Sequence, residues 1–343
     1  MIDDILYKVM YKNNFEEIII LRDTIILEYL LQRRNSDYKI SKYLSELIEQ
    51  LKTYKLDISY GYGYTSILYM CNLVNIDGIN DFYKNISLFI KKSLFEILSY
   101  PMPITINNKF NILFDYFKGL SGIFSYYIYI SNENNLKKKI FDYLLKCIQI
   151  TNCFCKEVNI SVAHGMSGIL LILAEYMDQN GVKKEYVEII EPLYKSIYYE
   201  LKTKCYKKEM LSDAWGNGEL GMFYALCRFY SVCNKNVQLP EYRQMLNNIL
   251  NKTHLNSISK LNVCYGGIGT FLILEKINTI DSSYSYYIDK FVKKIKTKDL
   301  IKKRDETGII SVKEYSIING ILAEYLFEHK ENIDAKYLKY FML

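Results

Sequence analysis

Apolar and polar positions along the chain sort into two kinds of helical segment. The first kind is apolar on nearly every side, as in GILLILAEYM from Gly168 to Met177 and GMFYALCRFY from Gly221 to Tyr230. Within the former, Ile169, Leu170, Leu173, Ala174 and Met177 fall at helical spacing on one face, while Glu175 and Asp178 fall off it. The second kind is amphipathic, as in Lys137–Ile150 and Tyr186–Leu201. Strand signals are scarce, because no hairpin dipeptide sits between alternating segments. The pattern predicts an all-α chain built from helix pairs, one member apolar and the other amphipathic.

Small residues open each apolar segment. Gly63-x-x-Ser66, Gly119-x-x-Gly122, Gly165-x-x-Gly168, Gly218-x-x-Gly221, Gly266-x-x-Gly269 and Gly320-x-x-Ala323 recur about every 50 residues, a period that belongs to repeat architectures. A single such motif usually means close helix packing, but six at one period mark a repeat. Glycine at these starts is expected to allow an unusual turn into the helix and a close approach of backbones. If the apolar helices pack side by side in a closed ring, their N-termini gather at one end. Unpaired N–H groups and aligned dipoles would make that end electropositive. Periodicity by itself does not separate a ring from an open superhelix.

The regular spacing favours one domain over residues 1–343, with N-terminal helices in 1–55, glycine-marked repeats in 56–326 and a tail in 327–343. Half the residues are apolar or aromatic, so the chain can build a large core. The best candidate for a membrane span, Ile18–Leu31, is interrupted by Arg22, Asp23 and Glu28, so no transmembrane segment is expected. The N-terminus lacks the basic, apolar and small-residue regions of a secretory signal, and the eight cysteines read as reduced thiols. Net charge is +6, but only six of the basic residues are arginines. The lysine-rich stretches 137–139, 202–208 and 290–304 read as solvated faces, and nucleic acid is not expected as a partner.

Reactive side chains cluster at the glycine starts. His164 lies immediately before Gly165, where an imidazole titrating near neutrality suits general acid–base work. Asp115 lies four residues before Gly119, placed either to cap a turn or to fix the His164 tautomer. Cys264 and Tyr265 precede Gly266, and Trp215, the only tryptophan, precedes Gly218. Alone, Cys264 reads as a buried thiol and Trp215 as packing or a cavity wall. His254 and His329 lie outside the motifs and take no role. Neither a Ser-His-Asp order nor a phosphate loop is present.

FDYFKGLSGI, SVAHGMSGI, SDAWGNGELG, CYGGIG and SIINGILAEYL, in this order, resemble the successive motifs of the lanthionine synthetase C-like proteins, the lanthipeptide cyclase family. The likeness runs from about Asp57 to Leu326. It implies an α/α toroid of seven inner and seven outer helices, so one hairpin lies in the N-terminal 55 residues or is unmarked. Family members use zinc to activate a peptide cysteine, which adds to dehydroalanine or dehydrobutyrine to close a thioether ring. The resemblance makes Asp115 and His164 the candidates for proton transfer. It places Trp215, Asn217, Cys264 and Tyr265 around the substrate cavity.

The zinc set is degenerate. Cys264 is the only family zinc-ligand position retained; Gly216 stands at the other cysteine, Tyr265 at the histidine, Ser212 at an arginine and Asn217 at a tyrosine. A catalytic zinc needs three protein ligands and an open position, so no cofactor is expected. The resemblance thus implies a maturation protein that binds a dehydrated precursor peptide in a central cavity, zinc-less and not itself catalytic. Its partners would be a dehydratase, an active cyclase or a peptide transporter. The location implied is cytoplasmic, or peripheral at the membrane within such a complex. The alternative is an active zinc-independent cyclase using His164 and Asp115. A glycosidase-type α/α toroid, needing paired carboxylates such as Asp115 and Glu219, ranks below both.

Overall fold

The computed structural model describes residues 14–31, 36–74, 79–99, 114–151, 159–207, 211–233, 240–252, 263–264, 266–286 and 289. The elements are helices: α1 (Asn14–Leu31), α2 (Ser36–Thr53), α3 (Tyr64–Val74), α4 (Asn80–Ser99), α5 (Leu120–Tyr129), α6 (Asn134–Thr151), α7 (Met166–Asn180), α8 (Lys184–Tyr206), α9 (Glu219–Val232), α10 (Pro240–Lys252) and α11 (Gly267–Ile280). A 3₁₀ turn, Ser282–Tyr284, follows.

They form the two layers of an α/α toroid. The inner layer runs α1, α3, α5, α7, α9, α11, each helix packed on the next, and the outer layer runs α4, α6, α8, α10 in the same way. The two kinds of segment in the sequence are these two layers. An inner helix is flanked on both sides and backed by an outer one, so α7 is buried continuously from Met166 to Ala174. An outer helix buries a single stripe, Ile86, Ile90 and Leu94 in α4, or Tyr186, Ile190, Leu193, Ile197, Leu201 and Cys205 in α8.

The hairpin without a glycine start is α1 with α2, and α1 takes the first inner place. The charges that interrupt its apolar run are buried in the core. The Arg22 guanidinium donates to the Gly61 carbonyl (2.6 Å) and to Ser66 Oγ (2.9 Å), and pairs with Asp23 (2.6 Å). Arg22 thereby ties α1 to the first glycine-marked loop. No described helix is long and apolar enough to cross a membrane. The described cysteines are free thiols, all buried except the half-buried Cys233. The Gly320 start, the 290–304 lysine stretch, Cys153, Cys155, His254 and His329 lie outside the described residues.

Candidate functional site

Each inner helix from α3 to α11 is entered through a loop ending at its first motif glycine, and these loops are joined edge to edge. Gly61 N–H donates to Phe117 O (2.8 Å), Tyr116 N–H to Ala163 O (2.9 Å), Ala163 N–H to Gly216 O (2.9 Å), and Gly216 N–H to Cys264 O (3.1 Å). The residue two before the glycine therefore carries a backbone girdle that gathers the inner N-termini at one mouth. The second glycine of each motif makes room for its own loop. A Cβ on Gly122, Gly168, Gly221 or Gly269 would fall inside 3.0 Å of the carbonyl oxygen of Tyr116, Val162, Trp215 or Val263 respectively. Close approach, not an unusual turn, is what the motif glycines supply. Gly119, Gly165, Gly218 and Gly266 have extended backbones, and among the described glycines only Gly181 has positive φ (91°).

At α3, α7 and α9 the expected electropositive set of unpaired N–H groups is not what forms. Loop carbonyls fold back onto the first turns: Tyr64 N–H donates to Asp57 O, Met166 N–H to Asn159 O, Ser167 N–H to Ile160 O and Leu220 N–H to Ser212 O. Thr65 and Ser167 hydroxyls add bonds to Ile58 O (2.6 Å) and Ile160 O (2.5 Å). With those donors satisfied, side chains must supply the chemistry of the mouth.

His164 and Asp115 meet there. His164 Nδ1 lies 2.7 Å from Asp115 Oδ2, while Asp115 Oδ1 accepts the backbone N–H of Phe117 and of Lys118, both at 2.8 Å. Asp115 is thus a turn cap and an imidazole partner at once. Those two bonds also explain a shift in the girdle: Phe117 N–H is taken by the carboxylate, so Tyr116 N–H makes the link to Ala163. A carboxylate accepting from Nδ1–H leaves Nε2 as the proton-exchanging nitrogen of the neutral ring. The imidazole is 35% exposed against 12% for the carboxylate, so the proton-exchanging partner is the accessible one.

Trp215 is fully buried below them. Its ring meets Phe117 (6.0 Å) and Tyr116 (5.9 Å) edge-on, and Phe117 meets His164 (6.0 Å). Trp215 Nε1 has no partner among the described residues. Asn217 is exposed at the rim, and Tyr265 lies outside the described residues. Glu219 does not join Asp115. It accepts from Ser212 N–H (2.8 Å) and pairs with Lys204 of α8 (3.1 Å), facing the outer layer.

Cys264 is buried, and burial pushes its thiol well above the ordinary cysteine range. The described residues contain no group of three or more His, Cys, Asp or Glu able to hold a metal. Gly216 contributes no side chain, although a Cβ there would lie 3.6 Å from Cys264 Sγ. The two positions face each other; only one carries a donor.

The girdle register identifies residues that motif matching misses. The position just before Gly63, Gly119, Gly165 and Gly218 holds Tyr62, Lys118, His164 and Asn217. Lys118 and Asn217 are exposed, and Tyr62 and His164 half-buried, while the two positions before each of them are buried. The signal was present in the repeat alignment: Tyr62 and Lys118 occupy the place that singles out His164.

Fold and mouth together define a class: a helical toroid with a carboxylate-anchored histidine where its inner helices begin. The chain belongs to the lanthionine synthetase C-like protein family, whose model matches residues 25–341. Its structure is similar to that of a nisin cyclase, with TM-score 0.76 and 18% sequence identity, covering 99% of this chain and 96% of that one. No curated protein matches the sequence.

Proposed function

We propose that this protein acts in lanthipeptide maturation by receiving a dehydrated precursor peptide at the girdle mouth without a resident zinc ion. The observation that carries this reading is the facing pair at Gly216 and Cys264, in which one donor is absent and the other is a buried thiol. A dehydratase, an active cyclase or a peptide transporter would be its partner. Two measurements test it. Elemental analysis of the purified protein is expected to give far less than one zinc per chain; a full equivalent abolished by Cys264→Ala would overturn the metal-free reading. Titration with a synthetic peptide carrying one cysteine and one dehydroalanine is expected to change the emission of Trp215, the only tryptophan. No change in emission and no binding by calorimetry would overturn the peptide reading.

The His164–Asp115 pair favours a second step on the same surface, thiol addition without metal. His164 Nε2 takes the proton of the peptide thiol, and the thiolate adds to the β-carbon of the dehydro residue, forming the C–S bond. The alkene electron pair moves to the carbonyl as an enolate, and the imidazolium returns its proton to the α-carbon. A free thiol at about pKa 8.5 already supplies some thiolate at neutral pH. Orientation by the mouth and proton transfer by His164 are then the protein's contributions. Counting free thiols against an uncatalysed control tests it; a rate equal to background would overturn it.

A further inference from the structure

We infer that the Lys118 ammonium is the cation of this mouth and stabilises the negative charge formed during thiol addition; the inference rests on the second step just described. The geometry begins with Asp115. One oxygen of its carboxylate accepts Lys118 N–H at 2.8 Å and the other binds His164 Nδ1 at 2.7 Å, so a single side chain fixes the lysine backbone and the imidazole next to each other. The two residues hold the same register position in consecutive loops, and those loops are linked by the Tyr116–Ala163 hydrogen bond. Lys118 is exposed on its flexible four-carbon stem. Among the described loop residues 57–62, 114–118, 159–164, 211–217 and 263–264, it is the only lysine or arginine.

The described residues give its placement no structural rationale. Lys118 directly precedes Gly119, the N-cap of α5, where the helix dipole disfavours a positive charge. No described carboxylate pairs with its ammonium. A local rule broken without compensation marks a functional position. The chemistry supplies the missing partner. As the C–S bond forms, charge passes from the thiolate to the enolate oxygen, and without a metal this ammonium is the cation available among the described loop residues to answer it. No bond is made to Lys118 and its protons stay in place; His164 alone moves the proton.

Lys118→Met and Lys118→Arg test this. Both keep the backbone N–H that Asp115 binds, and the position is exposed, so fold and dyad are retained. The probe is the cysteine–dehydroalanine peptide, with thiol loss followed in time. Expected for Lys118→Met is a kcat about 10- to 100-fold lower with KM nearly unchanged, and for Lys118→Arg a rate close to wild type. An unchanged kcat in Lys118→Met overturns the inference and leaves the thiol-addition reading standing. A wild-type protein that binds the peptide without accelerating addition also overturns it, since no charge then forms, and leaves the peptide-binding reading intact. A wild-type protein that neither binds nor accelerates removes the inference and the reading together.

Discussion

Replacing Asp115 by asparagine separates its two tasks. The aspartate accepts from Phe117 N–H, Lys118 N–H and His164 Nδ1 at 2.7–2.8 Å. Asparagine keeps an acceptor for the two backbone groups but turns two charge-assisted bonds into neutral ones about half as strong, a loss of about 1–2 kcal/mol. Toward His164 the amide presents NH₂, which only a deprotonated Nδ1 can accept. The imidazole must then carry its proton on Nε2, the nitrogen that should exchange it. Asp115→Asn is therefore expected to unfold in urea within about 2 kcal/mol of wild type, and Asp115→Ala, which loses all three bonds, at clearly lower urea. The chain has three histidines, so ¹⁵N–¹H spectra of the rings are simple and His164→Gln identifies the signal. Expected is Nδ1–H for the neutral ring in wild type and Nε2–H in the asparagine variant. If thiol addition occurs, that variant loses at least about 100-fold in rate. The same tautomer in both proteins, or a urea midpoint for Asp115→Asn as low as for Asp115→Ala, would refute the reasoning.

The motif glycines predict a contrast. Gly168→Ala puts a Cβ against the Val162 carbonyl, whose loop is pinned by the Ala163–Gly216 bond, and is expected to cost about 2–4 kcal/mol in urea. Gly181→Ala, at φ 91° in open space, is expected to cost only about 1 kcal/mol. Gly216→Cys combined with Tyr265→His supplies the Cys-Cys-His residues of the family's motifs. It is expected to raise zinc from near zero to about one ion per chain; no gain would show that the mouth cannot close around a metal. Burial raises the thiols of Cys264 and Cys227, and pushes Cys71 up to about 12. A group whose folded value is raised stabilises the fold below its unfolded value and loses that contribution as pH climbs through the folded one. Stability is thus expected to be flat at neutral pH and to fall between about pH 9 and pH 12 in urea titrations at stepped pH; a constant midpoint across that window would contradict it.

The layers were legible because each imposes its own period. An inner helix surrounded by protein reads as apolar all round, and an outer helix reads as a stripe every three or four residues. The α1/α2 hairpin was harder to assign because α1 needs no glycine start. Arg22 reaches the Gly61 carbonyl and Ser66 Oγ, and its charge interrupts the apolar run that would have marked an inner helix. At the mouth, the attraction between His164 and Asp115 could be read from their places in consecutive repeats. The sharing of one carboxylate between the imidazole and two backbone N–H groups could not, since it depends on a one-residue shift of the girdle at Tyr116. The satisfied first turns of α3, α7 and α9 were equally invisible, because carbonyls seven or eight residues upstream fill them and carbonyls leave no trace in residue types.

The girdle accounts for a scaffold that does not depend on the side chains at positions 216 and 264. The link between the loops at 216 and 264 is made by main-chain atoms, Gly216 N–H to Cys264 O, and the next link, Ala163 N–H to Gly216 O, is likewise independent of side chain. Residues as different as Gly61, Phe117, Ala163, Gly216 and Cys264 occupy the same place in the ring. The second glycines Gly122, Gly168, Gly221 and Gly269, by contrast, each face a loop carbonyl and tolerate no Cβ without strain. Substitution at the girdle position can therefore delete a zinc donor without disturbing the ring, whereas substitution at the motif glycine damages the ring whatever the chemistry. Asp115 falls on the other side of this division: its carboxylate caps the girdle loop and binds the His164 imidazole, so the histidine's partner cannot be lost without cost to the fold. The side chains at 216 and 264 are free to change, and the His164–Asp115 side is held in place by the same bonds that hold its loop.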